Sequence, residues 1–349
     1  MNSGILLVCP NCGIELKKED MQLGCPSCNH QWVIEKNVPW FSKSSPYWGE
    51  IDQSSMQKLN SLARERGWES ALHQVAPQLS NYVTNPSRAN WTTLLPIQPD
   101  WISLDIGAGW GGNSFPLSQR LKHVVALDSV FERAEFMEIR REQNSINNLQ
   151  VIAASIHEMP LPSERFDLVV MNGILEWVAL SAVGAPKLIQ EDVLRRVHEL
   201  LRVNGWLYIG IENRFSFESF LGEQDDSGLA LASLMPRKMA DFYMRLVSAR
   251  HNRTYDAMTS YRTYTYSYWG YKRLLERCGF KDFHAWGTYS YNRPKLLYDL
   301  MDASELKQYL EDRSGASGRK KLIHFLASKN ISSSVLRLFS PAFCIIARK

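Results

Sequence analysis

The sequence predicts an α/β fold: a parallel sheet with helices on both faces, preceded by a small cysteine-rich unit. Three observations carry this. Strand-like and helix-like segments alternate in regular rhythm from Trp101 onward, which is the pattern of strands joined by helical crossovers. A loop with four glycines in six residues, "GAGWGG", follows the first of those strands. Two Cys-x-x-Cys pairs stand near the N-terminus.

The bounds agree with a globular protein. The chain has 349 residues, 45% of them apolar and 11% aromatic, enough to bury a full catalytic core and one or two smaller units. Its 40 basic and 36 acidic residues leave a formal charge of +4, too mild to predict a nucleic-acid or membrane partner. The start, "MNSGILLVCP", has no basic n-region and only a short apolar run, so no signal peptide is expected. The most apolar long stretch, Leu168 to Ala185, is interrupted by Asn172 and Glu176, so no membrane span is expected either. A soluble, cytoplasmic protein is the expectation.

The first unit covers residues 1–41. "CPNC" (Cys9, Cys12) and "CPSC" (Cys25, Cys28) are separated by twelve residues. In a reducing compartment two such knuckles aim four thiolates at one point and can hold a structural Zn2+. Two disulfides or free thiols are the alternative, and His30 is a substitute ligand. Four thiolates close the coordination shell, so this metal has no open position for a substrate. Cys278 and Cys344 stand alone among apolar residues and read as core. With the alternating "HQWVIEKNVPWF" that follows, this unit resembles the zinc ribbons found as activator subunits of tRNA methyltransferases or fused in front of bacterial methyltransferases.

Residues 42–98 form a helical lead-in, with apolar residues at helical spacing in "MQKLNSLARERGWESALHQV". Residues 99–212 hold the core: strands at "WISLDIG", "HVVALD", "LQVIAAS", "FDLVVMNG" and "WLYIGIENR", with helices between them. Residues 213–265 are an insertion without clear strand signals, and residues 266–349 add a helix and two more strands to complete a Rossmann-like sheet of seven.

The glycine loop has two readings. Gly107, Gly109 and Gly112 satisfy the dinucleotide fingerprint Gly-x-Gly-x-x-Gly, and Asp128 ends the next strand. Asp105, Gly107, Gly109 and Gly111 satisfy the rival pattern, acidic-x-Gly-x-Gly-x-Gly. Asp105 separates them. A pyrophosphate at a helix N-terminus wants no carboxylate two residues before the loop. An S-adenosylmethionine site binds no phosphate and holds an ammonium beside a sulfonium, both of which a carboxylate favours. Asp128 can accept from both ribose hydroxyls under either reading.

From Trp101 to about Trp177 the chain resembles class I methyltransferases. "LDIGAGWGG" looks like their first motif, "VVALD" their second, and "VIAASIHEMPLPSERFDLVVMNGILEW" the third and fourth. The resemblance implies that Ser155 and Ile156 lie along the adenine and that Asn172 lies near the methyl group. Family members usually carry aspartate where this chain has Ser155.

Acceptor-facing groups in such a sheet project from the carboxyl ends of strands. "NGILEW" offers Asn172 and Glu176, "IENRF" offers Glu212, Asn213 and Arg214, and "TYSYNRP" offers Tyr289, Tyr291 and Arg293. Glu176, Glu212 and Tyr291 are the catalytic candidates. Glu176 reads equally well as a helix cap, Glu212 as a partner of Arg214, and the tyrosines as packing residues. Residues 207–295 resemble a subgroup of bacterial methyltransferases encoded with cell-surface glycan assembly proteins, which implies a sugar or sugar-phosphate acceptor.

The insertion from Pro236 to Trp269 interleaves Arg237, Lys238, Arg245, Arg250, Arg253 and Arg262 with tyrosines. These can grip a phosphorylated sugar or bind RNA through phosphates and stacked bases. A solvated amphipathic lid is the plainer alternative. Ribosomal RNA methyltransferases also combine zinc ribbons with this domain, so RNA is the alternative substrate; the low net charge weighs against it. A binding protein that has lost catalysis, and a nicotinamide oxidoreductase, are the remaining alternatives. The intact Asp105-to-Gly111 loop argues against both.

Overall fold

The computed structural model describes residues 4–42, 47–248, 260–295, 297–300 and 337–349. The strands are β1 (Lys17–Glu19), β2 (Gln22–Gly24), β3 (Gln31–Glu35), β4 (Val38–Trp40), β5 (Ile102–Ile106), β6 (His123–Asp128), β7 (Leu149–Ala153), β8 (Phe166–Asn172), β9 (Leu201–Glu212), β10 (Lys281–Thr288), β11 (Tyr298–Asp299) and β12 (Ala342–Arg348). They form one sheet in the order β1-β2-β3-β4-β7-β6-β5-β8-β9-β12-β10-β11.

Among the described residues the sheet has twelve strands, where seven were expected. The segments read as strands correspond to β5 through β10 and β12. The other five are the four strands of the cysteine-rich unit and β11, all but one of them three residues or fewer. Of these, β3 falls in the segment read as alternating, and the other four are too short to show a period. β4 joins the sheet because Trp40 pairs in parallel with Ala153 of β7, and the Phe41 amide donates to the Ala153 carbonyl at 2.7 Å. Nor is the sheet wholly parallel: β12 lies between β9 and β10 and runs antiparallel to β10.

The chain divides into two compact units. The first comprises Met1–Met171, Arg196–Trp206 and Lys349; the second comprises Asn172–Arg195 and Leu207–Arg348.

In the first unit β5 is buried along its whole length, between β6 and β8 in parallel register. Its polar residues Ser103 and Asp105 are therefore buried along with its apolar ones. Helices α1 (Gln53–Arg66) and α2 (Trp68–Val75) come from the lead-in, followed by the short α3 (Ser80–Thr84); α4 (Ser114–Ser118) and α5 (Phe131–Gln143) belong to the core. Asp52 caps α1 by accepting from the Ser55 amide at 3.0 Å, and Gly67 ends it at φ 90°. The apolar faces of α1 and α2 (Met56, Leu59, Ala63, Trp68, Leu72) share one cluster with Phe136 and Ile139 of α5 and with Trp110 of the glycine loop. The lead-in thereby braces that loop.

The second unit contains the start of α6 (Pro186–Leu200), then α7 (Phe217–Phe220), α8 (Arg237–Ser248) and α9 (Tyr268–Arg277). Its insertion has a small core of its own, built from Leu229, Ala232, Ala240, Met244 and Tyr261. Among the described residues no helix is long and apolar enough to cross a membrane.

Candidate functional site

In the first unit the chain leaves β5 through Gly107, Gly109 and Gly111, at φ 67°, 57° and 80°. These left-handed conformations are strained for any residue with a Cβ, so the local spacing of glycines dictates the turn. A Cβ on Gly111 would also stand 2.5 Å from the Phe115 ring.

The Asp105 side chain is buried, and its Oδ2 accepts from the Ser114 hydroxyl at 2.5 Å. Burial pushes its carboxyl up to about 7; the Ser114 hydroxyl and the Arg88 guanidinium oppose this, while the Asp128 charge adds to it. Asp128 ends β6. Its Oδ2 accepts from the Gly109 amide at 2.8 Å and its Oδ1 from the Val130 amide at 2.9 Å. Each carboxylate oxygen keeps a lone pair for a further donor. Ser155 and Ile156 follow β7 and are half-buried, the Ser155 hydroxyl accepting from the His157 amide at 3.3 Å.

Three further side chains of this unit come from segments with no recognisable signature. Arg88 is 6% exposed, lies against Gly112, and stacks 4.1 Å over the Tyr82 ring. Its Nε and Nη1 have no hydrogen-bond partner among the described residues. Arg133 pairs with Glu50 and lies 4.8 Å from the Trp48 ring. Burial works against its charge, and the Asp128 and Glu50 carboxylates overcome that and hold it up. Glu50 also accepts from the Trp110 indole at 2.8 Å. Sequence reading missed Arg88, Glu50 and Arg133, because each acts across a long chain separation. The glycine cradle, the open lone pairs of Asp128 and the orphaned Arg88 donors fit a nucleoside ligand that also carries a carboxylate.

The four cysteines lie in the same unit. Cys9 and Cys28 sulfurs are 3.5 Å apart, Cys12 and Cys25 3.4 Å, and Cys12 and Cys28 3.9 Å. All four lie within 4.8 Å of one another. These separations rule out disulfides. They suit a tetrahedron of thiolates about 2.3 Å from a central ion, whose edges are about 3.8 Å.

The second unit holds the other candidates. Asn172 ends β8; its Oδ1 accepts from the Tyr208 hydroxyl at 3.4 Å, and its Nδ2 has no partner among the described residues. Glu176 is completely buried, and neither of its oxygens accepts a hydrogen bond of ordinary geometry. Burial, then the Asp226 charge, push its carboxyl well above the usual carboxylate range, with the nearby Tyr291 hydroxyl pulling the other way. Glu212 ends β9. Burial pushes it up to about 8, helped by Asp226, Asp225, Glu218 and Glu223. Tyr291 packs on Gly173, where a Cβ would stand 2.7 Å from its ring.

Glu212 and Tyr291 line one cavity of about 220 Å³, together with Glu218, Glu223, Asp225, Tyr289, Pro341 and others. Glu212 does not pair with Arg214, whose guanidinium donates to the Ser233 and Met235 carbonyls at 2.8 and 2.9 Å. Asn213 donates to the Leu338 and Ser340 carbonyls.

Two of the insertion's arginines are engaged with backbone carbonyls. Arg237 donates to the Thr265 carbonyl and stacks 4.1 Å over Tyr264. Arg262 donates to the carbonyls of Ala179, Ala182 and Gly184. Arg245 pairs with Asp241 at 2.9 Å, and Lys238 is exposed. Arg250 and Arg253 lie outside the described residues.

Residues 104–209 match the model of a family described as a methyltransferase domain. Over that stretch the chain is similar to enzymes of the methyltransferase class.

Among curated proteins, the chain is similar to the 23S rRNA (uracil(1939)-C(5))-methyltransferase RlmD of Vibrio parahaemolyticus. The two are 32% identical over 103 residues, 26% of this chain and 23% of that protein. The same-named protein of Vibrio vulnificus is 26% identical over 165 residues, 42% of this chain and 33% of its own. The chain thus spans about a quarter to a third of the length of these relatives.

Solved structures similar to it include the YcgJ protein from Bacillus subtilis, with 14% identity, TM-score 0.41, and 75% and 97% of the two chains covered. The [4+2]-cyclase SpnF has 13% identity, TM-score 0.43, and 79% and 81% covered. The Haloferax volcanii complex of the Trm112 activator with a methyltransferase has 11% identity, TM-score 0.43, and 83% and 97% covered.

Proposed function

We propose that this chain methylates a hydroxyl of a small sugar-like acceptor taken up in the cavity of the second unit. The observation that carries the reading is Glu212, a carboxyl on the cavity wall held at about 8, close to the working pH that an efficient general base requires.

When bound, the cofactor supplies a methyl group already activated on a sulfonium. The protein's tasks are to hold it, to orient the acceptor and to remove one proton. Gly107, Gly109 and Gly111 make room for the methionine end, whose positive charge would draw the Asp105 carboxyl into its ionised form. Asp128 accepts from the ribose hydroxyls, Ser155 and Ile156 flank the adenine, and Asn172 lies near the methyl group. Ionised Glu212 accepts the acceptor hydroxyl's proton. Tyr291 lines the same cavity, with the completely buried Glu176 next to its hydroxyl. Cys9, Cys12, Cys25 and Cys28 hold a structural Zn2+ that braces the first unit and takes no part in methyl transfer.

A sugar acceptor is supported by the carboxylate-rich lining, since carboxylates accept well from vicinal hydroxyls. It also agrees with the likeness of residues 207–295 to glycan-associated methyltransferases. A phosphate on that sugar finds little to hold it in this cavity, because Arg214, Arg237 and Arg262 donate to backbone carbonyls. RNA is the second reading, drawn from the activity named for the curated relatives. The acidic lining weighs against it, as phosphates meet repulsion there.

Transfer of labelled methyl from S-adenosylmethionine to a panel of sugars, amino sugars, sugar phosphates and ribosomal RNA tests the reading. The expected result is transfer to a sugar, with kcat/KM rising through pH 8 and that rise lost in Glu212→Gln. Transfer to RNA alone would replace the sugar by the second reading.

A further inference from the structure

Helix α8 carries more apolar surface than its own core uses. Ala240 and Met244 are buried in the small core of the insertion, with Tyr243 and Val247 packed against it. On the other side of the helix Met239, Phe242 and Leu246 are 59%, 64% and 48% exposed. Side chains three, four and seven apart on a helix lie in one line, so these three form a single stripe turned away from the buried residues. The stripe has a basic edge. Lys238 and Arg245, also seven apart and both exposed, run along one side of it. Asp241, the one acid of α8, lies beyond them: it pairs with Arg245 at 2.9 Å and accepts from the Tyr261 amide at 3.1 Å. An ion pair that open to water is weak, so the Arg245 guanidinium stays available to a second anion.

The overall charge of +4, too mild on average to predict a membrane partner, is concentrated around this helix. Residues 236–262 hold six basic and two acidic residues, an excess of four that equals the excess of the whole sequence. The rest of the chain is balanced.

A lipid surface suits such a face better than a protein partner does. Three side chains along one helix offer far less than the roughly 1,000 Å² that a specific protein interface buries. A membrane interface asks for less. A helix lies in its plane, large apolar side chains sink to the level of the head groups, and Lys and Arg at the edge reach lipid phosphates.

We infer that α8 docks the protein peripherally on an anionic phospholipid surface. Met239, Phe242 and Leu246 enter the interface, and Lys238 and Arg245 meet lipid phosphates. This docking is independent of the acceptor proposed above.

The test is cosedimentation of the full chain with vesicles of phosphatidylcholine alone, and of phosphatidylcholine with about one-third phosphatidylglycerol, at low and high salt. The expected result is binding to the anionic vesicles about tenfold or more tighter than to the neutral ones, weakened by salt. Phe242→Gln combined with Leu246→Gln changes exposed side chains only, so Tm should hold while anionic binding weakens about tenfold or more. Lys238→Glu should weaken it several-fold. The inference is overturned if the parent does not bind anionic vesicles, if it binds neutral ones as well, or if either variant binds like the parent. It is also overturned if the parent dimerises in analytical ultracentrifugation and the double substitution abolishes the dimer, which would make this face a contact between copies.

Discussion

The Asp128 carboxylate accepts a 2.8 Å hydrogen bond from the Gly109 amide, tying the tip of β6 to the glycine loop that follows β5. One side chain therefore shapes the loop and presents the lone pairs proposed to meet the ribose. Hydrogen bonds to an ionised group contribute about 1.5–3 kcal/mol each. Asp128→Ala is expected to weaken S-adenosylhomocysteine binding by about tenfold or more. Calorimetry checks this, and an unchanged Kd would remove Asp128 from the cofactor site.

Arg88 offers two buried donors beside Gly112 that nothing in the described protein uses. Its proposed partner is the methionine carboxylate of the cofactor. Arg88→Met keeps the bulk and removes the charge. It should weaken S-adenosylhomocysteine about tenfold or more, while 5′-methylthioadenosine, which lacks that carboxylate, binds as before. Equal weakening of both ligands would make Arg88 a packing residue only.

Asp105 carries a stability signature. Its folded carboxyl titrates near 7, against an ordinary value of 3.8. A carboxyl raised by folding costs no stability while both states are protonated, and lowers stability as pH rises from the unfolded value to the folded one. The variant Asp105→Asn is therefore expected to gain in Tm relative to the parent between about pH 4 and 7, with a ceiling set by about 1.4 kcal/mol per pH unit of displacement. Thermal scans without cofactor across that window check the sign. A difference that does not change with pH would mean the carboxyl is not held protonated.

Replacing Cys9 and Cys12 by serine should remove the metal, lower Tm and leave S-adenosylhomocysteine affinity within a few fold. Metal analysis beside thermal scans reads both effects. Unchanged Tm with lost activity would instead assign the zinc to the acceptor.

What the sequence determined by itself is local. The alternation of apolar runs, the Asp105-to-Gly111 spacing and the two cysteine knuckles each lie within a few residues, so period and turn chemistry expose them. Glu176, Glu212 and Tyr291 were legible only as strand-end candidates, with Glu212 as plausibly paired to Arg214 as free. Tertiary structure decided the rest. It added four strands too short to show a period, and set β12 antiparallel beside β10. It turned Arg214 and Arg262 onto carbonyls and brought Arg88 against Gly112. It also gathered Glu176, Glu212 and Asp226 into one electrostatic group. Burial and charge at long chain separation set those outcomes, and neither is carried by neighbouring residue types.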